Sequence, residues 1–282
     1  MIKKSLKLIF VIFVLIFIFN FVGYFLEKTN TAVININGII NDSKAESWIE
    51  QINMVKNNPI YRGILIKINS PGGGANASEK VYRALRKADK TKPVVALIDS
   101  LGASGGYYIA CGARKIVAYP TSITGSIGVI FESLNVSKLA EKIGISSFVI
   151  KSGKVKDAGN PFREPTQEDK KMLSSVIDGV YNEFLNSVSE SRNIKIDTLK
   201  QYADGSVFSG KQALKIGLID SVGGLDAAKK ILKEEEKTDK IYFESIKDKK
   251  SFIKSVLGER VFNILYEIEL IFTPNVKTYF SI

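Results

Sequence analysis

The most apolar stretch of the chain lies at its start. Leu8 to Leu26 reads LIFVIFVLIFIFNFVGYFL, about 19 residues with Asn20 as the one strongly polar interruption, close to the ~20 a helix needs to cross a bilayer core. Lys3, Lys4 and Lys7 precede it. So short a basic segment stays in the cytoplasm, so residues 1–28 read as a cytoplasmic stub and single-pass transmembrane anchor, with the rest of the protein extracytoplasmic. Tyr24, Phe25, Leu26, Glu27 and Lys28 close the stretch in place of the small residues of a signal-peptide cleavage site, which predicts a retained anchor.

From Ala32 the pattern alternates between strand and helix. Ala32 to Ile40, Gly63 to Ser70, Pro93 to Ser100, Lys115 to Pro120 and Ser146 to Lys151 are β-branched or apolar runs and predict strands. Helical spacing of apolar residues predicts helices over Lys44 to Lys56, Ala77 to Ala88, Tyr107 to Gly112 and Gln167 to Arg192. Strand and helix in alternation predict an α/β domain with a parallel sheet. It is assigned to residues 29–230. Residues 231–282 form a charged, then amphipathic tail, with a strand candidate at Ile241 to Phe243 and an apolar helical face over Phe252 to Phe272; oligomer contact and membrane contact both fit it.

Composition removes whole classes of chemistry. The 282 residues contain no histidine and a single cysteine, Cys111, so Ser-His and Cys-His catalysis and an intrachain disulfide are excluded, and no zinc or iron–sulfur ligand set is available. No metal or cofactor is expected. The net charge of +11 comes without a nucleic-acid motif, and much of it sits in mixed-sign runs such as Lys229 to Lys240, the mark of a solvated helix face. No nucleic-acid partner is expected.

Gly102 to Gly106, GASGG, fits G-x-S-x-G with Ser104 at the tip of a strand-to-helix turn. Such a turn can expose a serine hydroxyl, or serve only to pack a helix tightly on a sheet. If Ser104 is a nucleophile, the absence of histidine leaves a desolvated lysine as the suitable base, because burial brings an ammonium pKa down towards neutrality. Asn69 is expected to terminate its strand through its side chain, Tyr107 and Tyr108 to pack behind the turn, Cys111 to be a small buried residue, and Asp157 to pair with a nearby lysine.

Five segments in matching order, NSPGGG (Asn69 to Gly74), ASGGYYIA (Ala103 to Ala110), TSITGSIGVI (Thr121 to Ile130), SGKVKDAGNPFREPT (Ser152 to Thr166) and DGSVFSGKQALKIGLID (Asp204 to Asp220), resemble the signal peptide peptidase A family in its short form with one catalytic domain. These are membrane-bound serine proteases with a Ser-Lys dyad. The resemblance spans roughly Ala32 to Asp226 and implies the Clp protease/crotonase-like fold, a spiral of βαβ units. It implies Ser104 as nucleophile, Lys156 as general base, Ser126 as the serine that orients Lys156, and Gly73 as a backbone oxyanion donor. The N–H of Gly105 is the natural second donor. It further implies a bacterial cell-membrane enzyme that degrades cleaved signal peptides as a homo-oligomer, the dyad lying within one protomer or across a protomer boundary. Two rival readings are an inactive membrane scaffold of this fold and a crotonase-type acyl-CoA enzyme.

Overall fold

The apolar runs of the first half assemble into a parallel sheet. In the computed structural model, which describes residues 13–17 and 30–246, β1 (Asn30–Asn37), β2 (Tyr61–Ser70) and β3 (Val94–Ala103) lie side by side, joined by helices α1 (Asp42–Asn57) and α2 (Ala75–Asp89). Helix α1 starts where the Asn41 side chain accepts the Lys44 N–H, satisfying one of the free donors of a first turn. Helix α2 directs Val81, Leu85 and Ala88 inward at helical spacing.

Strand β3 is shared by two neighbours. Its first half pairs with β4 (Lys115–Ala118) and its last three residues, Leu101 to Ala103, pair with β5 (Ile123–Gly125). After β3 comes the short helix α3 (Gly105–Ala110), so the chain leaves the C-terminal end of a central strand directly into a helix. Beyond β5 follow α4 (Ser137–Lys142), the long α5 (Gln167–Arg192), α6 (Ile196–Leu199), β6 (Val207–Ser209), α7 (Gly210–Lys215), β7 (Ser221–Val222), α8 (Gly224–Glu236) and β8 (Tyr242–Ser245). The main sheet order is β6-β5-β3-β2-β1-β8, with only the β5–β6 pair antiparallel.

Both faces of the sheet are covered, which is why its strands are apolar runs and not alternating ones. Ile34, Ile64, Ile66 and Ile98 pack under α1, α2, α3 and α5, while Val33, Leu65, Leu97 and Val117 pack against Ala228 and Leu232 of α8. The strand expected near Ile241 forms as β8 and pairs in parallel with β1. Residues up to Ile246 are therefore part of the sheet domain.

The strand expected over Ser146 to Lys151 does not form: these residues are exposed and have no regular structure. Their β-branched run has no neighbouring strand to take up its backbone groups. Of the expected anchor, residues 13–17 are helical. The remainder of that stretch and the helical face at 252–272 lie outside the described residues, among which no helix is long and apolar enough to cross a membrane.

Candidate active site

The site begins with a buried hydroxyl. Strand β2 ends at Ser70, fully buried, whose Oγ donates to the Gly38 carbonyl at 2.7 Å and accepts the Gly72 N–H at 3.1 Å. Ser70 thereby bends the chain out of the sheet. The following glycines are stitched to Ile40, whose N–H donates to Gly72 O at 2.9 Å and whose carbonyl accepts the Gly74 N–H at 3.0 Å. Gly73 between them has φ +152°, and a Cβ there would collide with the Ile40 backbone. Its N–H has no acceptor among the described residues.

Ser104 stands at the next bend, with φ 51° and ψ −121°. A side-chain-bearing residue at positive φ costs on the order of 1–3 kcal/mol and persists only where its surroundings impose it. Here the Ser104 N–H donates to Gly125 O at 2.8 Å and its carbonyl accepts the Tyr108 N–H at 2.9 Å. Both backbone groups are held and the side chain is turned outward. Ser126 is also at φ 51°, fixed by donation of its N–H to Ser206 O at 2.7 Å.

Ser104, Ser126, Gly73 and Gly105 line one cleft of about 740 Å³. The Gly105 N–H, in the first turn of α3, likewise has no acceptor among the described residues. The cleft therefore holds a hydroxyl on a strained turn and two backbone donors, the nucleophile and the oxyanion site of an acyl transfer to serine, without its base.

One wall of the cleft carries stacked aromatic rings. Tyr108 stacks on Phe184 with ring centroids 4.5 Å apart and tilts against Tyr82 at 5.1 Å. Burial, eased by the Ser187 hydroxyl at 3.1 Å, pushes the Tyr108 phenol up to about 12, so it stays a neutral hydroxyl. Tyr107 is fully buried, its hydroxyl donating to Leu218 O at 2.8 Å. Tyr107 is thus buried in the core as expected, whereas Tyr108, expected to pack behind the turn, lines the cleft. Cys111 is buried too, and burial pushes its thiol up to about 11, which leaves it protonated and unreactive.

Lys156 is elsewhere. It is exposed, in the turn following Gly153, and is not one of the residues lining the cleft. Its neighbour Asp157 is tightly held: both carboxylate oxygens accept from the Arg163 guanidinium at 2.8 Å, and Lys151 adds an ion pair. Arg163 also reaches the fully buried Asp169 at the start of α5, and Asp169 closes a capping box with Thr166. Hydrogen bonds from Arg163 hold both carboxylates well below the usual carboxylate range. The segment carrying Lys156 is thus bolted to the first turn of α5.

Three functional positions escaped the sequence reading. Asn69, expected to end its strand with its side chain, is exposed and contributes its carbonyl to the Gly38 N–H at 2.9 Å; Ser70 does the terminating. A small hydroxyl residue directly before Pro-Gly was the available signal. Arg163 and Asp204, the latter also lining the cleft, carry no local sequence signal that separates them from ordinary surface charges.

Comparison with known proteins identifies the family. The model of the Clp protease family matches residues 23–124 and that of Peptidase family S49 matches residues 86–239. The chain is 34% identical over 241 residues to a putative signal peptide peptidase SppA of Enterococcus faecium, covering 81% of this chain and 70% of that protein. It is 35% identical to a putative protease of a Synechocystis species, covering 82% of this chain and 85% of the relative. With the chloroplastic serine protease SPPA of Arabidopsis thaliana it shares 38% identity over 67% of this chain and 28% of the relative. A parallel α/β sheet that presents a strained serine between glycine turns, together with matches of this extent, makes the chain a member of peptidase family S49.

Proposed function

We propose that the protein is a membrane-anchored serine endopeptidase that degrades cleaved signal peptides with a Ser104–Lys156 dyad. The observation that carries this reading is Ser104 on its positive-φ turn, facing a cleft that also holds the Gly73 and Gly105 N–H groups. Ser104 Oγ attacks a peptide carbonyl while Lys156 takes its proton; the two N–H groups receive the oxyanion. Lys156 then protonates the leaving amine and activates the water that hydrolyses the acyl-enzyme. Ser126 orients the ammonium. The apolar wall of the cleft suits the apolar segment of a signal peptide, and the Leu8 to Leu26 stretch would hold the enzyme beside such substrates in the bacterial cell membrane.

The exposed position of Lys156 favours a dyad completed between protomers of a homo-oligomer. Phe148 and Ile150, with exposures of 89% and 86%, lie in the same excursion between β5 and α5, and such side chains are what a second copy would cover. Lys156 would then enter a neighbour's cleft and lose water there, as a lysine base requires.

The test is cleavage of a synthetic signal peptide by the full-length chain in non-ionic detergent. Ser104→Ala and Lys156→Ala are each expected to abolish cleavage. Co-assembly of the two inactive variants is expected to restore part of it, since one mixed interface then carries both native residues. Full activity of Lys156→Ala would remove that residue from the mechanism, and failure of every mixture to recover would place the dyad within one protomer.

A further inference from the structure

Among the described residues that line the cleft, Asp204 is the one that carries a charge. Its carboxylate has a fixed place: Oδ1 accepts the Ser206 N–H at 3.0 Å. That turn also supports the cleft itself, because Gly205 N–H donates to Ile127 O at 3.1 Å and Ser126 N–H to Ser206 O at 2.7 Å. Asp204 is thus tied to the backbone that carries Ser126. The hydrogen bonds from Ser206 hold its carboxyl below its ordinary value, so it is ionised throughout the neutral range. Among the described residues no lysine or arginine pairs with it.

The surroundings sharpen what this group can recognise. Tyr108, Val129, Ile130, Val180 and Phe184 give the cleft an apolar lining. A single exposed carboxylate beside apolar walls favours a ligand with one cationic group next to an apolar segment. We propose that Asp204 is a specificity-determining residue, selecting peptides that place a lysine or arginine side chain beside the apolar stretch seated in the cleft. This inference rests on the peptidase reading of the cleft. Because the carboxylate is exposed, its effect is modest and salt-sensitive.

Binding tests this apart from catalysis. Short apolar peptides carrying lysine or the uncharged norleucine at one position, moved stepwise along the peptide, are titrated against full-length Ser104→Ala in non-ionic detergent by fluorescence anisotropy. At one position the lysine peptide is expected to bind about three- to fivefold more tightly, the size of an exposed ion pair. That ratio is expected to fall to about one when Asp204→Asn is added, and at ~1 M salt. Asparagine keeps the Oδ1 acceptor for the Ser206 N–H, so the turn survives the loss of charge. A preference that persists in Asp204→Asn, or its absence at every position, overturns the proposal.

Wild-type cleavage of the same peptides keeps the two readings separate. A lysine preference in binding without any cleavage would sink the peptidase reading and leave the recognition intact. An equal loss of cleavage for both peptides in Asp204→Asn, with a displaced pH–rate profile, would assign the carboxylate to the lysine base instead and overturn the proposal.

Discussion

Gly72 lies directly against Ser104: a Cβ added to Gly72 would stand 2.9 Å from the Ser104 Cβ and 2.8 Å from the Gly105 nitrogen. The glycine turn after β2 and the serine turn after β3 are therefore one packed unit, and Gly72 at φ +104° is its contact point. Gly72→Ala is expected to push Ser104 and the Gly105 N–H out of line and to lower peptide cleavage by at least ~100-fold, the usual effect of losing one oxyanion donor. Circular dichroism on the same preparation should show the α/β fold retained; undiminished cleavage would show that the contact has no role in catalysis.

Strain at Ser104 makes a prediction about stability. Alanine at this position keeps the cost of positive φ, whereas glycine removes it. Ser104→Gly should therefore be more stable than Ser104→Ala by about 1–3 kcal/mol, a rise of several degrees in melting temperature for a domain of this size, with both variants inactive. Equal melting temperatures would mean that the turn is not strained.

Arg163 holds Asp157, next to Lys156, against the first turn of α5. Lysine in its place keeps the charge and loses the two-pronged grip. For Arg163→Lys, kcat is expected to fall about tenfold, because an effect of this kind follows from a misplaced catalytic group. The pH midpoint of kcat should stay where it is, since Lys156, the proposed base, is untouched. Wild-type kcat in this variant would separate the clamp from catalysis.

Glu236 supplies a pH dependence whose sign is fixed by its surroundings. It is only 6% exposed; Oε1 accepts the Thr31 hydroxyl at 2.7 Å, and Oε2 has no hydrogen-bond partner among the described residues. Burial raises its pKa, with Thr31 and Arg62 opposing. A carboxyl raised in the folded state favours folding fully below the unfolded value, roughly 4.3, and loses that contribution as pH rises through the folded value. The stability of the wild type relative to Glu236→Gln should therefore decline as pH rises from the unfolded value, roughly 4.3, towards neutrality. Urea denaturation across that range measures it, and a constant difference would mean that Glu236 does not titrate there.

What was legible in the sequence was whatever depends on local pattern or on chemistry that cannot be substituted. The apolar runs that became β1, β2 and β3 were readable because strands covered on both faces must be almost wholly apolar. The missing histidine excluded the usual serine-protease base without any coordinates. Ser104 stands out in its G-x-S-x-G turn, with the Gly105 N–H beside it, whereas Ser126 and Gly73 are singled out only through the family resemblance, and both prove to sit at positive φ, where few residue types are tolerated.

Tertiary structure decided the rest. That Ser70 and not Asn69 closes β2 depends on Gly38, 32 residues earlier in the chain, and no local pattern encodes that distance. The run at Ser146 to Lys151 has strand composition and no strand partner, since pairing is a property of neighbours. Arg163 and Asp204 resemble any surface charges until the fold sets one against Asp157 and Asp169 and the other at the edge of the cleft. A sequence fixes which groups are present; the approach of segments distant in the chain decides which of them meet, and only that approach gives a carboxylate or a hydroxyl its task.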